Sequence, residues 1–236
     1  MKITIIGSSH GVPEAGRKCT CIMIEVGENI YFVDMGTSAI DALRDRGLSV
    51  DAVKAVFITH MHGDHTNGLI PFVDLIAWYF KTPDPEIFLP DMAAVDVLYQ
   101  WLQVAMTPVR QRLRFSPVKL GALFDDGVLK VTAVPSAHCP NAFGYLLEAE
   151  GKRVLCTGDM KNPQVDFPAE AGSGLDLLIG ECAHFPATEY LPVLEKYDIR
   201  RICLNHHAPR HNQSIQALQE KRPDLLIARD NMEIQV

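Results

Sequence analysis

The sequence predicts one α/β or α+β domain over residues 1–236, in which sheets pack together and helices cover them on the outside. Two patterns carry this prediction. The early strand-like segments follow one another without helices between them, whereas the later ones alternate with helical segments. The composition, 47% hydrophobic and 22% charged over 236 residues, is typical of a globular domain large enough to bury its own core, and it excludes intrinsic disorder.

The predicted strands are short apolar runs bounded by Gly, Pro, Asp or Asn. They cover residues 2–7, 21–26, 30–34, 55–58, 86–89, 128–134, 144–149, 153–156, 175–179 and 201–204. Helical periodicity predicts helices over residues 38–46, 64–80, 91–104, 188–196 and 213–220. Several strands end at or just before a side chain that can bind a metal, so we expect a site held at the strand ends by a rigid scaffold.

Charge and hydropathy narrow the classes of function. A formal net charge of −7 argues against a surface that coats nucleic acid. There is no apolar run of about 18 residues, so no membrane-spanning helix is expected. The first apolar stretch, residues 2–7, is too short for a signal peptide, and a cytoplasmic location is therefore expected. The six cysteines are scattered, which favours reduced thiols over disulfides.

The segment THMHGDH, residues 59–65, is the strongest chemical signal in the chain. It brings three histidines and one aspartate into six residues, and imidazole and carboxylate are ligands that suit zinc, iron or manganese. His60 and His62 are two residues apart and cannot share a helix face, so they belong to a loop or a strand end. With further ligands downstream, the set suits two ions about 3.5–4 Å apart. The alternative interpretation is a solvated, histidine-rich turn.

The pattern His60-x-His62-x-Asp64-His65 resembles the signature of the metallo-β-lactamase superfamily. In chain order, Asp34 matches the first motif of that superfamily, and His138, Asp159 and His206 match the third, fourth and fifth. The segments GSSHGVP (7–13) and FITHMHGDHTNGL (57–69) resemble its ribonuclease Z-like branch. The resemblance runs from residue 1 to about residue 211 and implies a four-layer αββα sandwich with the site along one edge.

The resemblance also implies a set of ligands for two divalent metal ions, with zinc first and manganese or iron as alternatives. One ion would be bound by His60, His62 and His138, the other by Asp64, His65 and His206, and Asp159 would bridge them. Asp34 would hold a ligand histidine or the motif loop in place. His207 is the alternative to His206, although the flanking Leu204 and Arg210 keep the register of the branch only when His206 is the ligand.

Two divalent ions carry four positive charges, Asp64 and Asp159 leave two, and a bridging hydroxide leaves one. Such a site favours an anionic substrate, and bound metal lowers the pKa of water toward about 7. The predicted function is therefore hydrolysis of a small, anionic phosphodiester by a metal-bridging hydroxide. The alternatives are hydrolysis of a carboxylic ester, a lactone or a β-lactam, a ribonuclease Z-like nuclease without its tRNA arm, or a metal-binding sensor without turnover.

Further residues bear on the substrate. Only 21 positions separate His138 from Asp159, which leaves no room for the long arm of tRNA-processing relatives, so nucleic acid is a less favoured substrate. His184 follows Glu181 and is a candidate general acid or phosphate contact, or else a surface histidine. Arg110, Arg112 and Arg114 alternate, and on a strand they would share one face and could contact phosphate. A solvated face is the alternative.

Aromatic residues flank this arginine segment on the predicted helices. They are Trp78, Tyr79, Phe80, Tyr99 and Trp101, and most are expected in the core. One or two of them are candidates for the wall of the active-site mouth or for a homodimer contact.

Overall fold

Two mixed sheets of seven strands form the centre of the molecule in the computed structural model, which describes residues 1–12, 14–111 and 113–236. The strands are β1 Lys2–Gly7, β2 Cys21–Val26, β3 Asn29–Val33, β4 Val53–Phe57, β5 Glu86–Leu89, β6 Arg114–Pro117, β7 Gly121–Asp125, β8 Lys130–Ser136, β9 Ala142–Ala149, β10 Lys152–Cys156, β11 Leu177–Cys182, β12 Ile202–His207, β13 Leu226–Ile227 and β14 Met232–Gln235. The helices are α1 Ala39–Asp45, α2 Gly63–Thr66, α3 Leu69–Trp78, α4 Ala93–Val104, α5 Pro163–Asp166, α6 Leu191–Lys196 and α7 Asn212–Lys221.

The two sheets follow the same plan. The first has the order β14-β1-β2-β3-β4-β5-β6, antiparallel as far as β3 and parallel from β3 to β6. The second has the order β13-β12-β11-β10-β9-β8-β7, parallel from β13 to β10 and antiparallel from β10 to β7. Each sheet therefore brings several strand ends to one edge, which is where side chains from different strands can meet.

The layers follow from which faces of the strands are buried. In β2, Ile22 and Ile24 face a core between the two sheets, whereas Cys21 and Met23 face a second core under α1, α3 and α4. A third core lies between the second sheet and the outer elements that include α6 and α7. Since both faces of the central strands are buried, their sequences are continuous apolar runs. The predicted four-layer αββα sandwich is confirmed.

The structure corrects the helix predicted over residues 64–80, which is two helices, α2 and α3. They are separated at Gly68, whose backbone N–H donates to the carbonyl of Met35 at 2.7 Å. A Cβ at Gly68 would lie 2.1 Å from the carbonyl oxygen of Thr37, so only glycine allows this close approach. A tertiary contact with the loop after β3 therefore overrides the helical periodicity.

The expectation that most of the aromatic side chains near α3 and α4 are core residues is wrong. Trp78, Tyr79, Tyr99 and Trp101 are 37% to 53% exposed. The buried face of α3 is formed by Leu69, Phe72, Val73, Ile76 and Ala77, and on α4 only Leu98 and Leu102 are buried. The aromatic residues lie at the end of α3 or on the outer side of α4.

Two further findings concern the chain as a whole. Among the described residues, no helix combines the length and the apolar character needed to cross a membrane. All six cysteines, each within the described ranges, are free thiols, in agreement with the expectation from their scattered positions.

Candidate metal centre

The sequence-predicted ligands come together at one edge of the sandwich, although they are far apart in the sequence. The segment from His60 to His65 follows β4 of the first sheet. His138 follows β8, Asp159 follows β10, and His206 lies within β12, all in the second sheet. Each of these strands is an apolar run that ends at the site. The buried backbone of the strands therefore holds in place the Cα atoms of the side chains that point into the site.

Four residues form what we call the first cluster: His60, His62, His138 and Asp159. The Nδ1 atom of His62 lies 2.9 Å from Nε2 of His60 and 3.3 Å from Nε2 of His138. The Oδ2 atom of Asp159 is 3.7 Å from each of these two Nε2 atoms. Three imidazole nitrogens and one carboxylate oxygen therefore face a common point, as the ligands of a single ion do.

The second cluster consists of Asp64, His65 and His206. The Oδ2 atom of Asp64 lies 3.4 Å from Nε2 of His65 and 3.6 Å from Nε2 of His206. The remaining carboxylate oxygen of Asp159, Oδ1, is 3.4 Å and 3.5 Å from the same two nitrogens. Asp159 thus directs one oxygen to each cluster, which is the geometry expected of a bridging carboxylate.

The chemistry of these donors fits divalent metal ions. The Nε2 atom of His65 and the Oδ1 atom of Asp159 are buried and have no hydrogen-bond partner among the described residues. Leaving such groups unpaired in a protein interior is costly, and a metal ion between them would satisfy both. Nitrogen and oxygen donors in this combination suit zinc, manganese or iron.

Asp34 forms hydrogen bonds with His65 and Thr59, as the role implied by the resemblance requires. Its Oδ1 atom accepts hydrogen bonds from the backbone N–H of Thr59 at 2.8 Å and from the Thr59 hydroxyl at 3.0 Å. Its Oδ2 atom accepts from Nδ1 of His65 at 2.8 Å. Asp34 has a left-handed backbone, with φ of 59°. The bond to Nδ1 leaves Nε2 of His65 free to face the second cluster.

The two candidates for the last ligand differ in where their ring nitrogens point. Nδ1 of His206 donates to the carbonyl of Ser9 at 2.9 Å, which turns Nε2 toward Asp64 and Asp159. The neighbouring His207 has its Nε2 atom 3.2 Å from the carbonyl of Ala228 and belongs to neither cluster. The geometry therefore favours His206 over the alternative.

The protonation states of several of these groups suit metal binding. Burial, together with the nearby His65, lowers the pKa of His60 to about 2, and burial also lowers the pKa of His138. Burial opposes ionisation of Asp64 and Asp159, but the adjacent histidines outweigh it and hold both pKa values below the usual range. Burial likewise opposes charging of His65, yet Asp159 and Asp34 raise its pKa well above the ordinary value. A metal ion would replace that proton.

His184 lies beside the clusters and is held by Glu181. Its Nδ1 atom is 2.9 Å from Oε1 of Glu181 and 3.8 Å from Oδ2 of Asp159, and its side chain is 37% exposed. The hydrogen bond to Glu181 raises the pKa of His184 despite partial burial. Glu181 lies with Asp159 and His184 in a third group of donors close enough to hold an ion. Its oxygens also accept the backbone N–H groups of Met160, Ala183 and His184, so they are largely occupied.

The expectation that alternating arginines share one strand face is wrong for the described residues. Strand β6 begins only at Arg114, and Arg110 precedes it outside any strand. The guanidinium of Arg114 pairs with Asp84 at 3.3 Å and with Glu86 at 2.8 Å, and it lines a cavity that none of the predicted metal ligands lines. Arg112, like Pro13 of the opening segment, lies outside the described residues.

The sequence pattern did not reveal every residue at the site. The GSSHG segment, residues 7–11, has no Lys-Ser/Thr partner for a phosphate loop, yet it packs against the second cluster. Ser9 accepts from His206, and a Cβ added to Gly11 would lie 3.2 Å from Oδ2 of Asp64. The sequence signals for this segment are its resemblance to the ribonuclease Z-like branch and its pair of glycines, which marks close approach without identifying the partner.

Solved structures of similar architecture identify the fold. Over all of this chain and 99% of the other, the structure is similar to the short form of human tRNase Z, with a TM-score of 0.78 and 19% identity. It is also similar to the metallo-β-lactamase fold protein YhfI from Bacillus subtilis (TM-score 0.80, 18% identity, 99% of each chain). A diphosphatase of the PhnP family gives a TM-score of 0.72 at 17% identity, with 100% and 97% covered. The chain has the metallo-β-lactamase fold.

Sequence comparison gives the family. Residues 1–219 match the family model described as Anti-Pycsar protein Apyc1, and the chain belongs to that family. Among curated proteins, it is 30% identical over 147 residues to ribonuclease Z of Picosynechococcus sp., covering 61% of this chain and 46% of that protein. It is 27% identical over 156 residues to ribonuclease Z of Listeria innocua, covering 65% and 51%. The matches thus span about half the length of these curated relatives.

Proposed function

We propose that this protein is a hydrolase that binds two divalent metal ions and cleaves a small phosphodiester. The observation that carries the proposal is the pair of donor clusters joined by the two oxygens of Asp159. His60, His62 and His138 would hold one ion, and Asp64, His65 and His206 the other. Zinc suits these donors best, with manganese or iron as alternatives.

The ions, when bound, would supply Lewis acidity and a water of lowered pKa. The protein's own contribution is to hold the donors in place and to limit the number of negative charges that would offset the positive charge of the ions. Asp64 and Asp159 are the two carboxylates among the proposed ligands, so two divalent ions and their ligands would together carry a net positive charge. An electropositive centre favours a substrate that is already anionic, such as a phosphodiester, and stabilises the extra charge of its transition state.

His184 is suited to handle a proton at the leaving-group oxygen. Because Nδ1 faces the Glu181 carboxylate, Nε2 of the ring is left to face solvent or substrate. Glu181 raises the pKa of His184, so the imidazolium is populated nearer to neutral pH, where it can donate a proton to a departing alkoxide. The alternative role, contact with a phosphate oxygen, uses the same N–H.

Several features support a small substrate over a folded RNA. Between His138 and Asp159 the chain contains only β9, β10 and short connections, so no long arm is inserted there. The net charge of −7 also disfavours an extended nucleic-acid contact. The names ribonuclease Z and diphosphatase among the similar proteins support a phosphorus–oxygen bond as the one cleaved, and they do not by themselves distinguish a small substrate from RNA. We further propose a homodimer, for which the exposed Tyr79, Tyr99 and Trp101 provide apolar surface.

A substrate panel tests the proposal. Purified protein loaded with zinc would be assayed on a bis-aryl phosphate, an aryl ester and a chromogenic lactam, with a structured tRNA precursor as a fourth arm. We expect hydrolysis of the bis-aryl phosphate to exceed that of the other substrates. Asp64→Ala should reduce this rate by roughly a hundredfold or more, because it removes one donor and one compensating charge from the second cluster. Asp45→Ala, at an exposed position in α1, is the matched control.

The outcomes separate the alternatives. A preference for the ester or the lactam would replace the phosphodiesterase proposal with the corresponding hydrolase, and a preference for the tRNA precursor would favour a nuclease. Protein that binds no metal after careful loading, or an Asp64→Ala variant as active as the control, would refute the metal-dependent mechanism. Light scattering at several protein concentrations tests the homodimer separately.

A further inference from the structure

Asp166, at the end of α5, connects two loops that carry residues of the first cluster. Its Oδ2 atom accepts the backbone N–H groups of Ala137 and Lys161, each at 3.0 Å. Its Oδ1 atom accepts the backbone N–H of Asn162 at 3.1 Å. One carboxylate thus binds three main-chain donors on two segments that are more than 20 residues apart in the sequence. Hydrogen bonds to an ionised acceptor are stronger than neutral ones.

The donors lie next to ligand residues. Ala137 directly precedes His138, and Lys161 follows Asp159 by two positions. A second side chain, Ser136, links the same two loops from β8. Its hydroxyl donates to the backbone carbonyl of Asp159 at 2.5 Å and accepts the backbone N–H of His138 at 3.3 Å. Among the described residues, Asp166 belongs to none of the groups of histidine, cysteine and acidic side chains able to hold an ion.

We propose that Asp166 and Ser136 are positioning residues that brace the loops of His138 and Asp159 and thereby set the metal affinity of the first cluster. The inference rests on the proposed function only in taking the first cluster as a metal site. A histidine and a carboxylate at the tips of two loops can separate from each other. Here Asp166, held in its own loop by the N–H groups of Lys161 and Asn162, bonds the N–H of Ala137 in the other loop, and Ser136 bonds the carbonyl of Asp159, so the loops cannot separate freely. The brace therefore reduces the entropy that is lost when an ion is bound.

Loss of these contacts should change the metal affinity of the two clusters unequally. In the first cluster, two of the four donors, His138 and Asp159, come from the braced loops. In the second, Asp64 and His65 lie in α2 and His206 lies in β12, and they are oriented by other contacts, such as those of Asp34 and Ser9. Only the shared Asp159 depends on the brace there. Loss of the brace should therefore weaken the ion of the first cluster more than the ion of the second.

The substitution Asp166→Asn perturbs the brace with little change in volume. An asparagine side chain offers one acceptor oxygen, and its NH2 group would face a backbone N–H that needs an acceptor. At least one of the three bonds is lost, together with the negative charge that strengthens the others. Ser136→Ala removes the second link. Glu170→Gln is the matched control, because Glu170 is an exposed carboxylate in the loop that follows Asp166.

The experiment measures zinc binding to the full chain by competition with a chromophoric chelator, in backgrounds that isolate each cluster. His206→Ala disables the second cluster, and His138→Ala disables the first. In the His206→Ala background we expect Asp166→Asn to weaken the remaining zinc by roughly tenfold or more. In the His138→Ala background the change should stay within about twofold, and Glu170→Gln should have no effect in either.

A metal-free measurement complements this one. In zinc-free protein, Asp166→Asn should speed hydrogen exchange of the Ala137, Lys161 and Asn162 amides, while the amides of β1 exchange as in the unsubstituted chain. If Asp166→Asn does not fold, Ser136→Ala is used in both measurements, with the His138 amide as the exchange probe. Equal zinc affinity with and without the substitution, or equal losses at both clusters, would overturn the brace while leaving the metal-dependent function intact. An unsubstituted chain that binds no zinc would overturn that function as well.

Discussion

The carboxylate of Asp34 determines which nitrogen of His65 faces the second cluster, and Asp34→Asn tests that control. In the structure, Oδ2 of Asp34 accepts from Nδ1 of His65 at 2.8 Å, and Oδ1 accepts from Thr59. An asparagine can keep its oxygen toward the Thr59 N–H, but its NH2 group then faces the Nδ1–H of His65. The histidine must move or shift its proton to Nε2, and a protonated Nε2 cannot bind a metal ion.

The expected loss of zinc affinity follows from removing the hydrogen bond that orients His65. Replacing a residue that orients a metal ligand typically costs 10- to 100-fold in affinity, which corresponds to about 1.4 to 2.8 kcal/mol. Asp34 belongs in the upper part of this range, because it is 3% exposed and its hydrogen bonds are not replaced by water. Asp34 is linked to the first cluster through the Thr59 hydroxyl, which lies 3.1 Å from Nδ1 of His60, whereas it bonds His65 of the second cluster directly. The first cluster should therefore lose less affinity, and the zinc content should fall from two per chain toward one.

The assay is zinc competition against a chelator, with metal content measured in parallel on the same protein. Asp45→Asn provides the control, because Asp45 is an exposed aspartate in the last turn of α1. The melting temperature of each variant separates a local effect from general unfolding. If Asp34→Asn bound two zinc ions with the affinity of the control, orientation of His65 by Asp34 would not matter and the ligand assignment of the second cluster would need revision.

Three further predictions use simpler measurements. His206→Ala should weaken zinc binding at least tenfold more than His207→Ala, because only His206 points Nε2 at the second cluster; equal losses would contradict the assignment. Tyr145→Phe should lower the free energy of unfolding in urea by about 1 to 3 kcal/mol, since the Tyr145 hydroxyl donates to the buried carbonyl of Ile58 at 2.5 Å, whereas Tyr99→Phe at an exposed position should change it little. Dialysis against a chelator should abolish phosphodiester hydrolysis and added zinc should restore it; activity in verified metal-free protein would argue against the proposed chemistry.

Much of the fold could be predicted from the sequence, because the central strands are buried on both faces and appear as continuous apolar runs. The strands that were missed, β6, β7, β13 and β14, are short or lie toward the edges of the sheets, and their residues are mostly half-buried or exposed. Edge strands carry a weaker hydrophobic pattern because one side has no neighbour to pack against. The break between α2 and α3 was missed for another reason, since it arises from contacts of Gly68 with a distant loop.

The candidate site could be predicted because its donors follow apolar strands in a fixed order. His138 and His206 could be proposed as ligands only because of their places in that order. The charge partners could not be predicted in this way. Arg114 pairs with Asp84 and Glu86 across β5 and β6, a pairing that depends on strand neighbours rather than on spacing. The alternation of arginines in the sequence therefore could not distinguish a strand face that binds phosphate from arginines whose charge is neutralised by neighbouring carboxylates.

The donors of the two clusters can be recognised in the sequence, whereas the contacts of the residues that position them can be recognised only in the structure. The donors are histidines and aspartates in short motifs, whereas Asp34, Glu181 and Asp166 act by accepting backbone and ring N–H groups from segments that only the fold brings together. Each of these carboxylates accepts at least three hydrogen bonds, so most of its oxygen lone pairs are used in holding the surrounding segments. Their negative charge still adds to the attraction for cations at this edge of the sandwich. Orientation and electrostatic attraction therefore come from the same three side chains, and a neutral replacement at any of them should affect both together.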